Sequence, residues 1–255
     1  MYCVYNITGY LSTVNSFVLI SKNNISIMSQ KPVCLIIGAG PGIGYSVARK
    51  WSSNGHQVVV VRRSEIAQDV LDRDISPGVV AVQADVTDQD RMKVAVDEVE
   101  AKYGRIQTLI YNAGYGVWKN YETCTVEEFE KCYSINATGL LVAAKIICPR
   151  MVQAGSGVVG ITGATAALRG KPMTIGFAAA NSAKRMMAQS LARDLGPKNV
   201  HVFYTIIDGL VKAGAEEGGK HMDPEDIADT YWRVAQQKRS AWTHEVDMRP
   251  FCENW

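Results

Sequence analysis

The stretch Val33-Cys34-Leu35-Ile36-Ile37-Gly38-Ala39-Gly40-Pro41-Gly42-Ile43-Gly44 decides how this chain is read. Five apolar residues, too few for a helix, run directly into a glycine cluster, and Ile43–Trp51 behind it reads as a helix. Glycines at such a turn bend the chain sharply and let its backbone approach a pyrophosphate. The helix N-terminus behind them supplies free N–H groups and partial positive charge. Strand, glycine turn and helix in that order are the context a dinucleotide-binding turn requires. The spacing is GxxxGxG over Gly38, Gly42 and Gly44, with Ile43 where the GxGxxG form would put its third glycine.

The pattern continues outward from this turn. Val58–Val61 is four consecutive valines ending in Arg62-Arg63, and Val79–Gln83 is a further short β-type run, followed by Asp85-Val86-Thr87-Asp88. Residues 88–103 carry helical spacing at Met92, Val96 and Val99, with Gly104 at the expected stop. Ile106–Tyr111, Val158–Thr162 and Val200–Ile207 read as strands, and Ala241–Met248 as a terminal one. Val126–Tyr133, Ala137–Ile147 and Ser182–Leu195 read as helices, the last closed by Gly196-Pro197; Asp223-Pro224 signals another helix start. Apolar strands alternating with helices mean crossover units and a parallel sheet covered on both faces. The expectation is an α/β fold: one doubly wound Rossmann-type domain over 31–255, with a sheet of about seven strands and helices on both sides.

Composition narrows the function. The chain has 255 residues, 47% apolar and 20% charged, ample for a packed core, and its formal net charge of +2 shows no basic excess of the kind nucleic-acid binding needs. No uncharged apolar run reaches 18 residues, so no membrane span is expected. The six cysteines (Cys3, Cys34, Cys124, Cys132, Cys148, Cys252) form no CxxC pair, and the four histidines are scattered. Reduced thiols in a cytoplasmic protein, with no metal site, are expected. Residues 1–30 contain one lysine, no arginine and no acid. They lack the basic and long apolar regions of a signal peptide and the arginines of a transit peptide. They are read as a dispensable or disordered leader, with Met28 a natural start.

With these landmarks in order, the chain resembles the short-chain dehydrogenase/reductase family over about residues 32–250. Gly38, Gly42 and Gly44 match that family's glycine turn, with Ile37 in its Thr place. Asp85-Val86-Thr87 looks like its adenine-contacting acidic motif, and Tyr111-Asn112-Ala113-Gly114 like its NNAG, with Tyr for the first Asn. The resemblance implies a nicotinamide cofactor held by Gly38, Gly40, Gly42, Ile43, Gly44, Arg62, Arg63, Asp85, Val86, Asn112, Ala113, Gly114 and Lys184. It implies catalytic roles for Asn136 and Lys184, a substrate lid at about 208–223 with Asp208-Gly209 in the Pro-Gly place, and a homodimer or homotetramer using the last strand. Arg62 and Arg63 stand where an acid would bind a free ribose 2′-hydroxyl. Arginine there accommodates a 2′-phosphate, so NADP(H) is expected over NAD(H).

The family's Ser and the Tyr of its YxxxK do not appear. Ala164 stands in the Ser place and Ala180 in the Tyr place; the longer spacing of enoyl reductases lands on Phe177. An activated carbon–carbon double bond can take its proton from water or another side chain; Tyr115 and Tyr204 are candidates, and each also reads as ordinary packing or a pocket wall. The expected function is an NADP(H)-dependent oxidoreductase moving hydride to or from a small carbonyl, alcohol or activated alkene. The alternative is a weakly active or inactive NADP(H)-binding sensor or partner subunit.

Overall fold

A computed structural model describes residues 16–21, 24–216 and 218–253 of the chain. Within the leader, β1 (Ser16–Ser21) pairs antiparallel with β2 (Asn24–Ser29) as a separate two-stranded sheet; residues 1–15, 22 and 23 lie outside the described residues. The domain then runs β3 (Val33–Ile37), α1 (Ile43–Ser53), β4 (Gln57–Arg62), α2 (Gln68–Asp74), β5 (Val80–Gln83), α3 (Gln89–Tyr103) and β6 (Ile106–Tyr111). It continues with α4 (Val126–Tyr133), α5 (Gly139–Gln153), β7 (Gly157–Ala164), α6 (Ile175–Leu195) and β8 (Val200–Ile207). The two short strands β9 (Leu210–Val211) and β10 (His221–Met222), α7 (Pro224–Ala235) and β11 (Glu245–Met248) complete it.

Seven strands form one all-parallel sheet in the order β11-β8-β7-β6-β3-β4-β5. The order reverses between β3 and β6, which places a crevice at the carboxyl ends of those two strands. Alternation along each strand feeds two cores. Leu35, Ile37, Val59 and Val61 face the one packed by α3, α5 and α6; Cys34, Ile36, Val58 and Val60 face the one packed by α1 and α7. That double burial is why the strands read as unbroken apolar runs.

Local signals explain the boundaries. The Asp88 carboxylate accepts the Arg91 N–H and starts α3, Gly104 at φ +93° ends it, and Asp223 with Pro224 opens α7. Three boundaries differ from the sequence reading. Helix α6 begins at Ile175, two turns before Ser182, because Thr174 closes a turn on Lys171 just ahead of it. The terminal strand shortens to Glu245–Met248, since Arg239–Ala241 forms a 3₁₀ turn. A π-helical turn, Ser134–Thr138, joins α4 to α5. The short α2, the β1–β2 hairpin and the β9–β10 pair carry too little periodicity to be seen in sequence. The joined run Val126–Gln153 is, among the described residues, long and apolar enough by length and composition to cross a membrane. Its apolar side is occupied by the core, through Leu140, Ala143, Ile147 and Met151.

Candidate active site

The glycine turn is dictated by close backbone approach. Gly38 sits at φ +89°, and a Cβ there would lie 2.4 Å from the Ala113 backbone. The turn and the chain after β6 therefore touch main chain to main chain. Asn112 braces that contact: its Nδ2 donates to the Gly38 carbonyl at 2.8 Å, and its Oδ1 accepts from Thr162 Oγ1 at 2.8 Å. Gly42, at φ +107°, precedes α1; no side chain caps that helix and no acid lies in its first turn. Uncapped N–H groups and unopposed dipole charge suit an anion.

These elements enclose a cavity of about 320 Å³. Of the residues expected to hold a cofactor, Gly38, Gly40, Arg62, Arg63, Asp85, Val86, Asn112, Ala113 and Gly114 line it. Gly42 and Gly44 shape the turn beside it, and Ile43 faces a neighbouring cavity. The fit to a dinucleotide is steric and electrostatic: a glycine cradle at one end and two guanidiniums at the other. Arg62 is half-buried; its Nη1 donates to the Tyr45 hydroxyl at 3.2 Å, and its buried Nε has no hydrogen-bond partner among the described residues. Asp85 is drawn in the opposite direction by two influences. Partial burial raises its pKa, but hydrogen bonds from the Thr87 N–H and hydroxyl, with the Arg63 charge, outweigh that and leave it lowered.

The second cavity, about 500 Å³, opens beyond Ile43 and is walled by Thr162, Ala164, Thr165, Phe177, Ile207 and Trp118 among others. Thr162 Oγ1 also lies 2.7 Å from the Tyr231 hydroxyl, which continues to Thr205. This buried chain of three hydroxyls runs from the sheet's end to α7; Tyr231 carried no sequence signal beyond an apolar helix face.

Lys184 and Asn136 meet in the interior. Lys184 Nζ donates to Asn136 Oδ1 at 3.3 Å, and Asn136 Nδ2 donates to the carbonyls of Tyr115 (2.8 Å) and Cys132 (2.9 Å). The π-helical turn presents Asn136 to α6 in this way. Both side chains are almost fully buried, and neither lines the two cavities. Burial drives the Lys184 pKa down from 10.5 to about 8; the nearby Cys132 sulfur pulls weakly the other way.

Ala180 is 0% exposed and packs with Val117 and Cys132. The volume a tyrosine side chain would need there is thus taken up by neighbours. Cys132, which the sequence reading passed over, donates its thiol hydrogen to the Tyr115 carbonyl at 3.1 Å and lies in this contact. The two tyrosines proposed as proton donors do not reach the second cavity. Tyr204 is fully buried under Gly163, whose added Cβ would sit 1.9 Å from the Tyr204 hydroxyl. Tyr115 packs half-buried beneath Lys131, whose Nζ is 5.0 Å from the ring centroid.

The model of the short chain dehydrogenases matches residues 32–224. The chain belongs to the short-chain dehydrogenase family. A 3alpha-hydroxysteroid dehydrogenase of Mediterraneibacter gnavus is 25% identical over 239 residues, covering 86% of this chain and 95% of the relative. A trans-4-hydroxycyclohexanecarboxylate dehydrogenase of Sinomonas cyclohexanicum is 28% identical over 233 residues, covering 83% and 88%. The crystal structure of a short-chain dehydrogenase from Rhodopseudomonas palustris superposes with a TM-score of 0.77 at 32% identity, covering 86% of this chain and 99% of that one. The seven-stranded doubly wound sheet is thus the family's fold, and the chain is an oxidoreductase of the family's type, which works with a nicotinamide cofactor.

Proposed function

We propose that the protein is an NADP(H)-dependent oxidoreductase acting on a small carbonyl, alcohol or activated alkene. The observation that carries the cofactor choice is Arg62 and Arg63 at the end of β4, lining the first cavity where an acid would select the 2′-hydroxyl. A guanidinium pair grips a phosphate through charge-assisted bonds. The bound nicotinamide supplies or accepts the hydride. Gly38, Gly40 and the α1 N-terminus would take the pyrophosphate, Asp85 and Val86 the adenine, and Asn112–Gly114 the middle of the dinucleotide. Lys184 is the candidate for the nicotinamide ribose, with Asn136 holding its ammonium group. The second cavity would take the substrate, with the segment 208–223 as its lid. In keeping with the family resemblance, a homodimer or homotetramer in the cytoplasm is the working assembly, with residues 1–30 dispensable.

A second reading has a specific observation behind it. Ala164 and Ala180 leave the family's two hydroxyls out, and Ala180 is sealed by packing. Loss of a positioned proton donor costs on the order of 10²–10⁴ in rate. On this reading the protein binds NADP(H) and turns over slowly or not at all.

The test is thermal unfolding of the full chain with NADPH, NADH or neither, followed by NADPH consumption against aldehydes, ketones and enones. Nucleotide at 100 times its dissociation constant adds about 2.7 kcal/mol of stability. NADPH should stabilise more than NADH, and Arg62→Ala with Arg63→Ala should remove that difference; equal loss of both nucleotides would refute the 2′-phosphate assignment. Consumption that disappears in Lys184→Ala supports the enzyme; tight binding with no consumption supports the second reading.

A further inference from the structure

A row of polar residues crosses the sheet on one rung. Ile37, Tyr111, Ile161 and Tyr204 are successive register partners across β3, β6, β7 and β8. The next residues along are Gly38, Asn112, Thr162 and Thr205, and the two threonines are themselves register partners. Tyr231 of α7, fully buried, sets its hydroxyl over that pair, 2.7 Å from Thr162 Oγ1 and in hydrogen-bond contact with Thr205 Oγ1. The row therefore runs from α7 and β8 to the glycine turn.

One direction of donation satisfies every group in it. The Gly38 carbonyl can only accept, so the Asn112 amide nitrogen faces it, at 2.8 Å, and Asn112 Oδ1 is left to face Thr162. Thr162 then donates to Oδ1, at 2.8 Å, and its oxygen accepts from Tyr231. Burial pushes the Tyr231 pKa up to about 12, so that proton is present throughout the neutral range. Thr205 donates to Tyr231 and completes the row. The opposite direction runs from Thr162 to Tyr231 to Thr205 to the Ile161 carbonyl, the last step at 3.2 Å, and takes from Asn112 Oδ1 its donor. Asn112 is where the row meets the turn. A Cβ added at Gly44 would lie 3.2 Å from Asn112 Nδ2, the atom that holds the Gly38 carbonyl, so one amide group touches both ends of the GxxxGxG stretch.

We infer that Thr162, with its proton directed by Tyr231, is a positioning residue for the nucleotide turn: it holds the Asn112 side chain in the orientation that fastens Gly38. Thr162 lines the second cavity and not the first, so it acts on the turn through Asn112. The inference rests on the nucleotide-binding reading above.

The direction of the row makes the test specific. Thr162→Val removes the donor to Asn112 and should weaken NADPH binding by the full chain roughly 3- to 10-fold, the worth of about one hydrogen bond. Thr162→Ser keeps the hydroxyl and should restore binding. Tyr231→Phe leaves Thr162 its proton without directing it, and should weaken binding by less than Thr162→Val does. Thr205→Val removes only the far end of the row; Tyr231 still donates to Thr162, and NADPH affinity should match the wild type although the denaturation midpoint falls. A merely structural role would instead make affinity follow the midpoint in every variant. The Asn112 side-chain amide signal in the NMR spectrum of the nucleotide-free protein, assigned by its loss in Asn112→Asp, gives a second readout. It should move in Thr162→Val and stay in place in Thr205→Val. Unchanged NADPH affinity or an unmoved amide signal in Thr162→Val, no rescue by Thr162→Ser, a larger loss in Tyr231→Phe than in Thr162→Val, or equal losses in Thr162→Val and Thr205→Val would each overturn the inference and leave the nucleotide reading intact. A wild type that binds neither NADPH nor NADH would instead refute the nucleotide reading, and the inference with it.

Discussion

Replacing Lys184 with methionine should stabilise this protein at neutral pH, although Lys184 is the candidate catalytic cation. The reason is desolvation. The ammonium group is buried between α6 and the π-helical turn, with one hydrogen bond, to Asn136, and its pKa falls from 10.5 to about 8. At ~1.36 kcal/mol per unit, that shift is a folding penalty of ~3 kcal/mol below pH 8. Methionine removes the charge and fills a similar volume, but leaves Asn136 Oδ1 without its donor, at a cost of ~1–2 kcal/mol. The net gain at pH 7 is ~1–2 kcal/mol. Its pH dependence is the stronger test. Above pH 10.5 neither state of the wild type carries this proton, and below about 8 both do. Between those values the unfolded chain holds a proton the folded chain has released, so wild-type stability rises with pH. The variant lacks that rise. The difference between the two proteins should therefore shrink steadily from pH 8 and reverse sign before pH 10.5. Urea denaturation followed by tryptophan fluorescence, without nucleotide, at pH 7, 8, 9 and 9.5 gives the comparison, since other titrating groups cancel between the two proteins. A variant less stable at pH 7, or a difference that does not change with pH, would refute the buried-charge account of Lys184.

Three further outcomes are expected. Tyr45→Phe removes the hydroxyl that fixes Arg62, so NADPH affinity should fall several-fold, by the ~0.5–1.5 kcal/mol of one hydrogen bond, with NADH affinity unchanged; titration by nucleotide fluorescence checks it. Gly38→Ala meets the Ala113 backbone at 2.4 Å from a positive φ, and should cost more than ~1 kcal/mol and abolish the thermal shift with NADPH. Ala180→Tyr, with or without Ala164→Ser, should cost ~1–3 kcal/mol and restore no carbonyl reductase activity, because Val117 and Cys132 already fill the space around a fully buried Ala180; denaturation midpoints and NADPH consumption read both effects.

What the sequence revealed and what it concealed divide along the same physical line. The sheet was legible because both of its faces are buried, which writes each strand as a short apolar run, and because the glycine turn is forced by backbone contact with the chain after β6. The wall of the first cavity was legible for a related reason: Gly38, Arg62, Asp85 and Asn112 lie at or just beyond the ends of successive strands, so their place in the chain fixes their place in space. The wall of the second cavity was not. It gathers Ile43, Trp118, Arg169, Phe177, Leu210 and Glu253 from separate loops, helices and the short strand β9, and no spacing in the chain announces that they meet. Tyr45 and Tyr231 were missed because each sits on an apolar helix face and acts through a single hydroxyl, indistinguishable in sequence from packing.

The two departures from the family pattern each have a local structural consequence. With alanine at 180, α6 packs directly on Val117 and Cys132, and the same contact seals Lys184 against Asn136. With alanine at 164, the wall of the second cavity has no hydroxyl at that point; the next one, Thr165, is turned away onto Asp208. Asp208 in turn gathers Arg169 and Arg249. The second cavity thus has alanine at 164 beside the hydroxyls of Thr162 and Thr165, while the alanine at 180 is sealed by packing. A family site without the Ser and Tyr hydroxyls of those two places lacks their help in protonating a carbonyl oxygen, at a cost on the order of 10²–10⁴ in rate. Orientation alone is a large contribution to rate when hydride donor and acceptor are held face to face. The two readings of the protein then differ in whether the bound ligand presents a carbon that can take the hydride. Adding a candidate carbonyl or enone to the protein with NADPH and following absorbance and binding together separates them, because a substrate consumes the nucleotide while a ligand that is not turned over leaves it intact.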